Sequence, residues 1–178
     1  MKRILLVVLV MFTMSPLMQL AAQEKDDATE IHWISIDELQ AKMRQEPRKV
    51  YIDMYTDWCG WCRKMEATTF QNQNVIKYMN QKFYCVKFNA ERKDTIRFMG
   101  KYYYFDPAAR ANNLAAEWMH GQLSYPTAIF MEERFQNPVP VPGYQEVKTM
   151  EMILKYFGEN IYKSKKWEDY QKDFIQYW

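Results

Sequence analysis

The sequence predicts an α/β domain: a central mixed sheet flanked by helices, with one inserted segment and a C-terminal helical extension. Three observations carry this expectation. Val50 to Tyr55 and Phe83 to Phe88 are nearly continuous apolar runs of strand length, the pattern of strands buried on both faces. The stretches between such runs carry helical periodicity and helix start and stop signals. A Cys-x-x-Cys pair, Cys59 and Cys62, stands between the first run and a helix.

The chain's 178 residues suffice for one domain with a sizeable core, and 48% hydrophobic and 16% aromatic content excludes a disordered composition. The formal charge is +2, and Lys2 and Arg3 supply both positives, so the body is neutral. Its Lys and Arg are interleaved with Asp and Glu, without the basic stripe of a nucleic-acid binder, so no nucleic acid is expected as a partner. At the start, Lys2-Arg3 precedes an apolar run from Ile4 to Phe12, an interruption at Ser15-Pro16 and a small-residue site at Leu20-Ala21-Ala22. That order predicts a signal peptide over residues 1–22 and an exported, periplasmic protein. The alternative is an uncleaved N-terminal anchor. The run is shorter than the ~20 apolar residues of a span, which favours cleavage. No Cys follows the cut to receive a lipid, and no later segment reads as a membrane span.

Residues 23–30 are expected to be a flexible leader, followed by the main domain over 31–162 and the extension over 163–178. Ser35 reads as the N-cap of a helix from Ile36 to about Glu46, with Asp37 and Glu38 in its first turn and Pro47 as its stop. The strand Val50–Tyr55 comes next, then helices over 60–70 and 74–81, then the strand Phe83–Phe88. Residues 91–110 read as an insertion, in which Thr95–Phe98 and Lys101–Phe105 flank Met99-Gly100 as a short hairpin. Tyr102, Tyr103 and Tyr104 there either form a recognition surface or cover an edge of the core. A helix from Ala111 to His120 ends at Gly121, and Thr127–Met131 reads as a strand. Pro138, Pro140 and Pro142 confine Val139–Gly143 to a sheet edge. A long helix is expected from Glu146 to about Tyr162. In the last segment, Trp167, Tyr170, Phe174 and Trp178 fall at helical spacing as a packing stripe.

Three cysteines are too few for a disulfide framework and suit a redox pair plus one spare. At a helix start, unpaired N–H groups and the helix dipole stabilise a thiolate on Cys59, and a thiolate is the attacking species in disulfide exchange. Cys62, one turn deeper on the same face, is placed to resolve the mixed disulfide. This reading requires Cys59 to be reachable by another protein. The alternatives are a static disulfide and half of a metal site. For metal only Cys85, His32 and His120 remain, none paired at short spacing, so no metal ligand is assigned. Cys85, inside the second apolar run, reads as a buried small hydrophobe.

The segment Asp53-Met-Tyr-Thr-Asp-Trp-Cys-Gly-Trp-Cys-Arg-Lys-Met-Glu-Ala-Thr-Thr-Phe70 resembles the thioredoxin superfamily, in particular the branch that includes the periplasmic C-terminal domain of the DsbD reductase. Tyr125-Pro126-Thr127 before an apolar strand is a second landmark. The resemblance spans about residues 31–162. It implies a thioredoxin-like three-layer sandwich, with Cys59 as nucleophile, Cys62 as resolving thiol and Pro126 in the cis form facing them. It further implies a substrate-binding set of Trp58, Gly60, Trp61, Tyr125, Pro126 and Thr127. The intervening Gly60-Trp61 departs from the Gly-Pro of ordinary thioredoxins, and the residue before Pro126 is a bulky Tyr.

Two charges interrupt the apolar strands: Asp53 in the first and Lys87 in the second. Buried charges are costly unless paired, and neighbouring parallel strands would bring these two together. The resemblance places them as a buried acid and its basic partner beneath the cysteines. There Asp53 would accept the Cys62 proton, with Glu66, one turn beyond Cys62, as a second acid. The alternatives are an edge-exposed Asp53 and a surface Glu66. The expected function is reduction of disulfides in exported proteins by a monomer without organic cofactor, re-reduced by a membrane or periplasmic donor such as a DsbD-like protein. The same centre run as an oxidase or isomerase, or a non-catalytic binding module, are the rivals.

Overall fold

Strand β1 (Trp33–Ile34) opens the chain as described by a computed structural model, which covers residues 28–178; the expected signal peptide lies outside the described residues. Within the expected flexible leader, residues 28–30 have no regular structure, yet Ala28 packs on the core and the Glu30 carbonyl accepts from Asn80 Nδ2 (3.0 Å). Helix α1 (Ile36–Gln45) starts where Ser35 Oγ accepts from the Glu38 N–H, and it buries Ile36, Leu39 and Met43. It leads to β2 (Lys49–Tyr55), α2 (Gly60–Ala67), α3 (Gln73–Lys82) and β3 (Phe83–Asn89).

The insertion contains the expected hairpin, β4 (Ile96–Phe98) and β5 (Lys101–Tyr103). Its two-residue turn is made possible by positive φ at both Met99 and Gly100, the geometry that matches strand twist. A second small ladder, β6 (Phe105–Asp106) with β7 (Ala111–Asn112), follows, so α4 (Asn113–Trp118) is shorter than expected at its start, with Asn112 as its cap. Strand β8 (Thr127–Met131) and the proline-rich β9 (Val139–Pro142) complete the sheet, and α5 (Val147–Gly158) and α6 (Trp167–Asp173) follow.

The sheet order is β1-β3-β2-β8-β9, with β1 and β2 parallel to β3, and β8 and β9 running antiparallel to their neighbours. This is the expected mixed sheet, and β9 takes the edge its prolines require. On one face, Val50, Ile52 and Met54 of β2 pack with α1, α4 and the β4–β5 hairpin. On the other, Tyr51, Cys85 and Phe130 pack with α2, α3 and α5. The alternation along β2 therefore puts Asp53 on the α2 side of the sheet, as it does Tyr51.

Two expected helices are interrupted. The helix over 60–70 ends at Ala67, because Thr68 leaves helical geometry (φ −124°, ψ −76°) and a 3₁₀ turn over Thr69–Gln71 follows. The long helix starting near Glu146 stops at Gly158, since Asn160 adopts a left-handed conformation (φ 60°) before the 3₁₀ turn Ile161–Lys163. Lys49 holds that turn by donating to Asn160 Oδ1 at 2.8 Å. The C-terminal stripe is only partly helical. Trp167 and Tyr170 pack against Tyr156, whereas Trp178, beyond the end of α6, lies against Tyr78 of α3.

Candidate active site

The path from β2 to α2 positions the cysteines. β2 ends at Tyr55, and Thr56, Asp57 and Trp58 turn the chain so that Cys59 is the N-cap of α2. Cys59 Sγ accepts from the Cys62 N–H at 3.0 Å, and the two sulfurs form a disulfide. A sulfur held at the N–H groups of a helix start is where a thiolate is stabilised once the pair is reduced. Arg63 fixes the turn by donating to the Asp57 carbonyl (2.8 Å). Cys85 is a free thiol, buried in β3, and burial pushes its pKa well above that of an ordinary thiol.

The expectation of a reachable Cys59 needs correction for the oxidised state. Cys59 is 3% exposed and Cys62 8%, because the capping geometry turns the sulfur toward the helix and into the disulfide. The flanking tryptophans are what solvent meets: Trp58 is 61% exposed and Trp61 56%. Both are held by groups from distant loops. Trp58 lies edge-on to Tyr125 (5.9 Å), and its Nε1 donates to Glu91 Oε2 of the insertion (3.0 Å). Trp61 packs on Tyr144 (5.4 Å), and the Lys64 ammonium sits over both rings. Sequence reasoning missed Glu91, Lys64 and Tyr144 as neighbours of the pair. Glu91 and Tyr144 come from remote segments, and only the Trp61–Lys64 spacing of one helical turn was readable.

The Tyr125–Pro126 bond is cis, as the resemblance implies. Pro126 and Thr127 are buried, and Thr127 Oγ1 donates to the Ser124 carbonyl (2.8 Å), bracing the bend. Tyr125 remains half-buried and, with Trp58, Glu91, Arg110 and Leu123, lines a cavity of about 450 Å³ beside the pair. Gly60 is exposed, and a Cβ there would make only ordinary contact with Arg63.

Asp53 and Lys87 are register partners on β2 and β3, so the two strand charges are brought together. The expected pairing between them is nevertheless replaced. Lys87 is half-buried and forms its ion pair with Glu66 of α2, while the Oδ1 of Asp53 has no hydrogen-bond partner. The reason is reach: a lysine stem on the α2 side of the sheet extends to a carboxylate at the helix surface, where both charges keep partial hydration. Asp53 stays behind at 4% exposure. Its pKa is pushed up to about 7, first by burial, against the lowering effect of Lys87 and with the help of Glu66. Asp53 is thus buried rather than edge-exposed, and Glu66 is neither isolated nor fully exposed. Among the described residues no cluster of His, Cys, Asp and Glu could hold a metal ion, and no helix is long and apolar enough to cross a membrane.

Residues 13–175 match the family model Thioredox_DsbH, described as a protein of unknown function, DUF255. Spermatogenesis-associated protein 20 of Mus musculus is 27% identical over 55 residues, which are 31% of this chain and only 7% of that much longer protein. A thioredoxin-fold protein from Helicobacter pylori superposes with a TM-score of 0.54 at 14% identity, covering 70% of this chain and 78% of its own. A thioredoxin from Thermus thermophilus superposes at 0.50 with 14% identity, covering 75% of this chain and 89% of its own. At such identities the structural likeness establishes the fold.

Proposed function

The chain belongs to the Thioredox_DsbH family, and from that premise we propose that it is an exported thiol–disulfide oxidoreductase that reduces protein disulfides through Cys59 and Cys62. The observation that carries the reading is the Cys59–Cys62 disulfide at the N-terminus of α2, with Cys59 Sγ as the helix cap. The reduced pair starts the cycle. The Cys59 thiolate attacks one sulfur of a substrate disulfide and forms a mixed disulfide, and the other substrate sulfur leaves and takes up a proton. Cys62 gives its proton to Asp53, whose pKa near neutrality suits a general base, and attacks Cys59 Sγ. The Cys59–Cys62 bond forms, the second substrate thiol departs, and two electrons have passed to the substrate. An external dithiol donor, such as a DsbD-like membrane protein, restores the reduced pair.

Partner contact is assigned to an aromatic rim made of the exposed Trp58 and Trp61 and the half-buried Tyr125, with Gly60 and the buried Pro126 and Thr127 shaping the groove between them. Because the oxidised sulfurs are recessed, a donor reaches Cys59 only with local movement around the pair. The N-terminal segment supports export to the periplasm, as a soluble or anchored protein.

The test is turnover of insulin disulfides with dithiothreitol as electron source. The wild-type chain accelerates reduction, and Cys59→Ser reduces the rate to the uncatalysed background. Equal rates for the two proteins defeat the enzyme reading. Equilibration with a glutathione buffer sets the direction: a potential near the ≈ −120 mV of a strong oxidant replaces the reductase by an oxidase.

A further inference from the structure

A large cavity lies at the opposite end of the sheet from the disulfide. It is bounded by α1, the tip of the β4–β5 hairpin and the turn after β8. That turn follows Met131, which pairs with Val50 at the start of β2, whereas Cys59 follows the end of β2. The seven residues of β2 separate the two ends by roughly 20 Å. The cavity holds about 840 Å³, within the ≈ 300–1,000 Å³ of small-molecule sites.

Its lining combines unpaired positive charge with an apolar floor. Arg44, Arg97 and Arg134 come from three different elements, and Asp37 is the single acid among the lining residues. Asp37 also lines the neighbouring cleft that contains Arg92. None of the three arginines makes an ion pair among the described residues, whereas Arg48 and Arg92 are paired to Glu46 and Asp94; the Arg97 guanidinium lies loosely over the ring of its cross-strand partner Tyr102 (5.9 Å), a contact it can keep while donating to an anion. The floor is the buried Met43 and the half-buried Phe135, whose ring stands edge-on to Phe98 (4.9 Å).

The walls are fixed before any ligand arrives. Gln40 uses both ends of its amide on the hairpin: Nε2 donates to the Arg97 carbonyl and Oε1 accepts from the Met99 N–H, each at 3.0 Å. Arg134 and Phe135 are both left-handed (φ 61° and 64°), a costly backbone for non-glycine residues that persists where the surroundings impose it and that gathers at ligand clamps. The Arg134 N–H points at Met43 Sδ (3.2 Å), which ties the turn to α1.

We infer that this cavity binds a small amphipathic anion, a carboxylate, phosphate or sulfonate head carried on an apolar body. The guanidiniums take the head through charge-assisted hydrogen bonds, and Met43 and Phe135 take the body. This site does not depend on the redox reading, and its occupancy leaves the cysteine chemistry intact.

The probe is 8-anilinonaphthalene-1-sulfonate, followed by fluorescence titration of the folded full chain. Its neutral analogue N-phenyl-1-naphthylamine serves as the apolar-body control. Saturable one-to-one binding of the sulfonate is expected, with the neutral analogue at least tenfold weaker. Arg97→Glu and Arg44→Glu, in different elements, each weaken the sulfonate at least tenfold. Lys77→Glu, an exposed charge reversal on α3, leaves its affinity within twofold. Near-ultraviolet circular dichroism verifies the fold, and two separate reversals keep the test decisive if one variant misfolds. Absence of saturable binding, equal affinity for the neutral analogue, or equal weakening by Lys77→Glu overturns the assignment.

Discussion

Asp53 puts a carboxyl among hydrophobic side chains in the middle of a buried strand. Ile52 and Met54 beside it are fully buried, and its register partner on β8 is Ala128. A carboxyl there prefers to be neutral, so the folded chain holds a proton that the unfolded chain releases between about pH 4 and pH 7. With more protons bound to the folded than to the unfolded state, this group's contribution to stability falls as pH rises through that window. The loss is on the order of 4 kcal/mol if no relaxation intervenes. Asp53→Asn should remove this slope and leave a protein more stable than wild type at pH 8, measured by urea unfolding across pH. The same substitution should slow resolution of the mixed disulfide more than the initial attack, and abolish an inflection near pH 7 in the resolution rate, read by stopped-flow tryptophan fluorescence. Equal slowing of both steps would count against Asp53 as the proton acceptor. Asp53 and Lys87 stood out in the sequence because each breaks an apolar run. That Lys87 pairs with Glu66 instead was not readable, because it depends on how α2 lies across β3.

Among elements, strands were more legible than helix ends. Apolar runs of β length located β2, β3 and β8, and prolines located β9. The two-residue β1 and the β6–β7 ladder were missed because neither is long enough to show a period. Helix ends were overrun where tertiary contacts decide them. Asn160, for example, takes its left-handed turn where the buried Lys49 reaches it from β2, 111 residues away. The last residue of α5 shows a further constraint invisible in sequence. A Cβ on Gly158 would lie 2.7 Å from the Tyr78 hydroxyl and 3.0 Å from its ring, where α5 crosses α3. Helix propensity favours Ala over Gly by up to ~1 kcal/mol, whereas overpacking costs about 1–3 kcal/mol. Tyr78 is held by Glu159 and by Trp178, so the clash should win. Gly158→Ala is expected to lower unfolding free energy by about 1 kcal/mol in chemical denaturation, against the gain that propensity alone predicts.

At the scale of the molecule, the C-terminal residues are fastened by a carboxylate rather than by continued helix. Glu151 is fully buried in α5, pairs with Lys155 (2.7 Å), and accepts the backbone N–H groups of Tyr177 (2.9 Å) and Trp178 (3.2 Å). The Lys155 ammonium also lies 3.9 Å from the centre of the Tyr177 ring. The aromatic stripe was legible as packing, but this anchor was not, since nothing in the spacing of Glu151 distinguishes it from a surface helix residue. Glu151→Ala should cost about 3 kcal/mol in chemical denaturation, the scale for breaking a buried pair, and should speed hydrogen exchange at the Tyr177 and Trp178 amides. The outer strands have another effect. Pro140 and Pro142 sit in β9 opposite Ile129 and Thr127, and a proline can occupy a paired strand only where its nitrogen faces away from the neighbour. The outward rim of β9 therefore offers no donor at those two positions, and the far rim, β1, is two residues long. Among the described residues, neither side of the sheet offers a long row of free donors and acceptors on which a foreign strand could be zipped, so the chain lacks the exposed edge from which sheets are extended into aggregates.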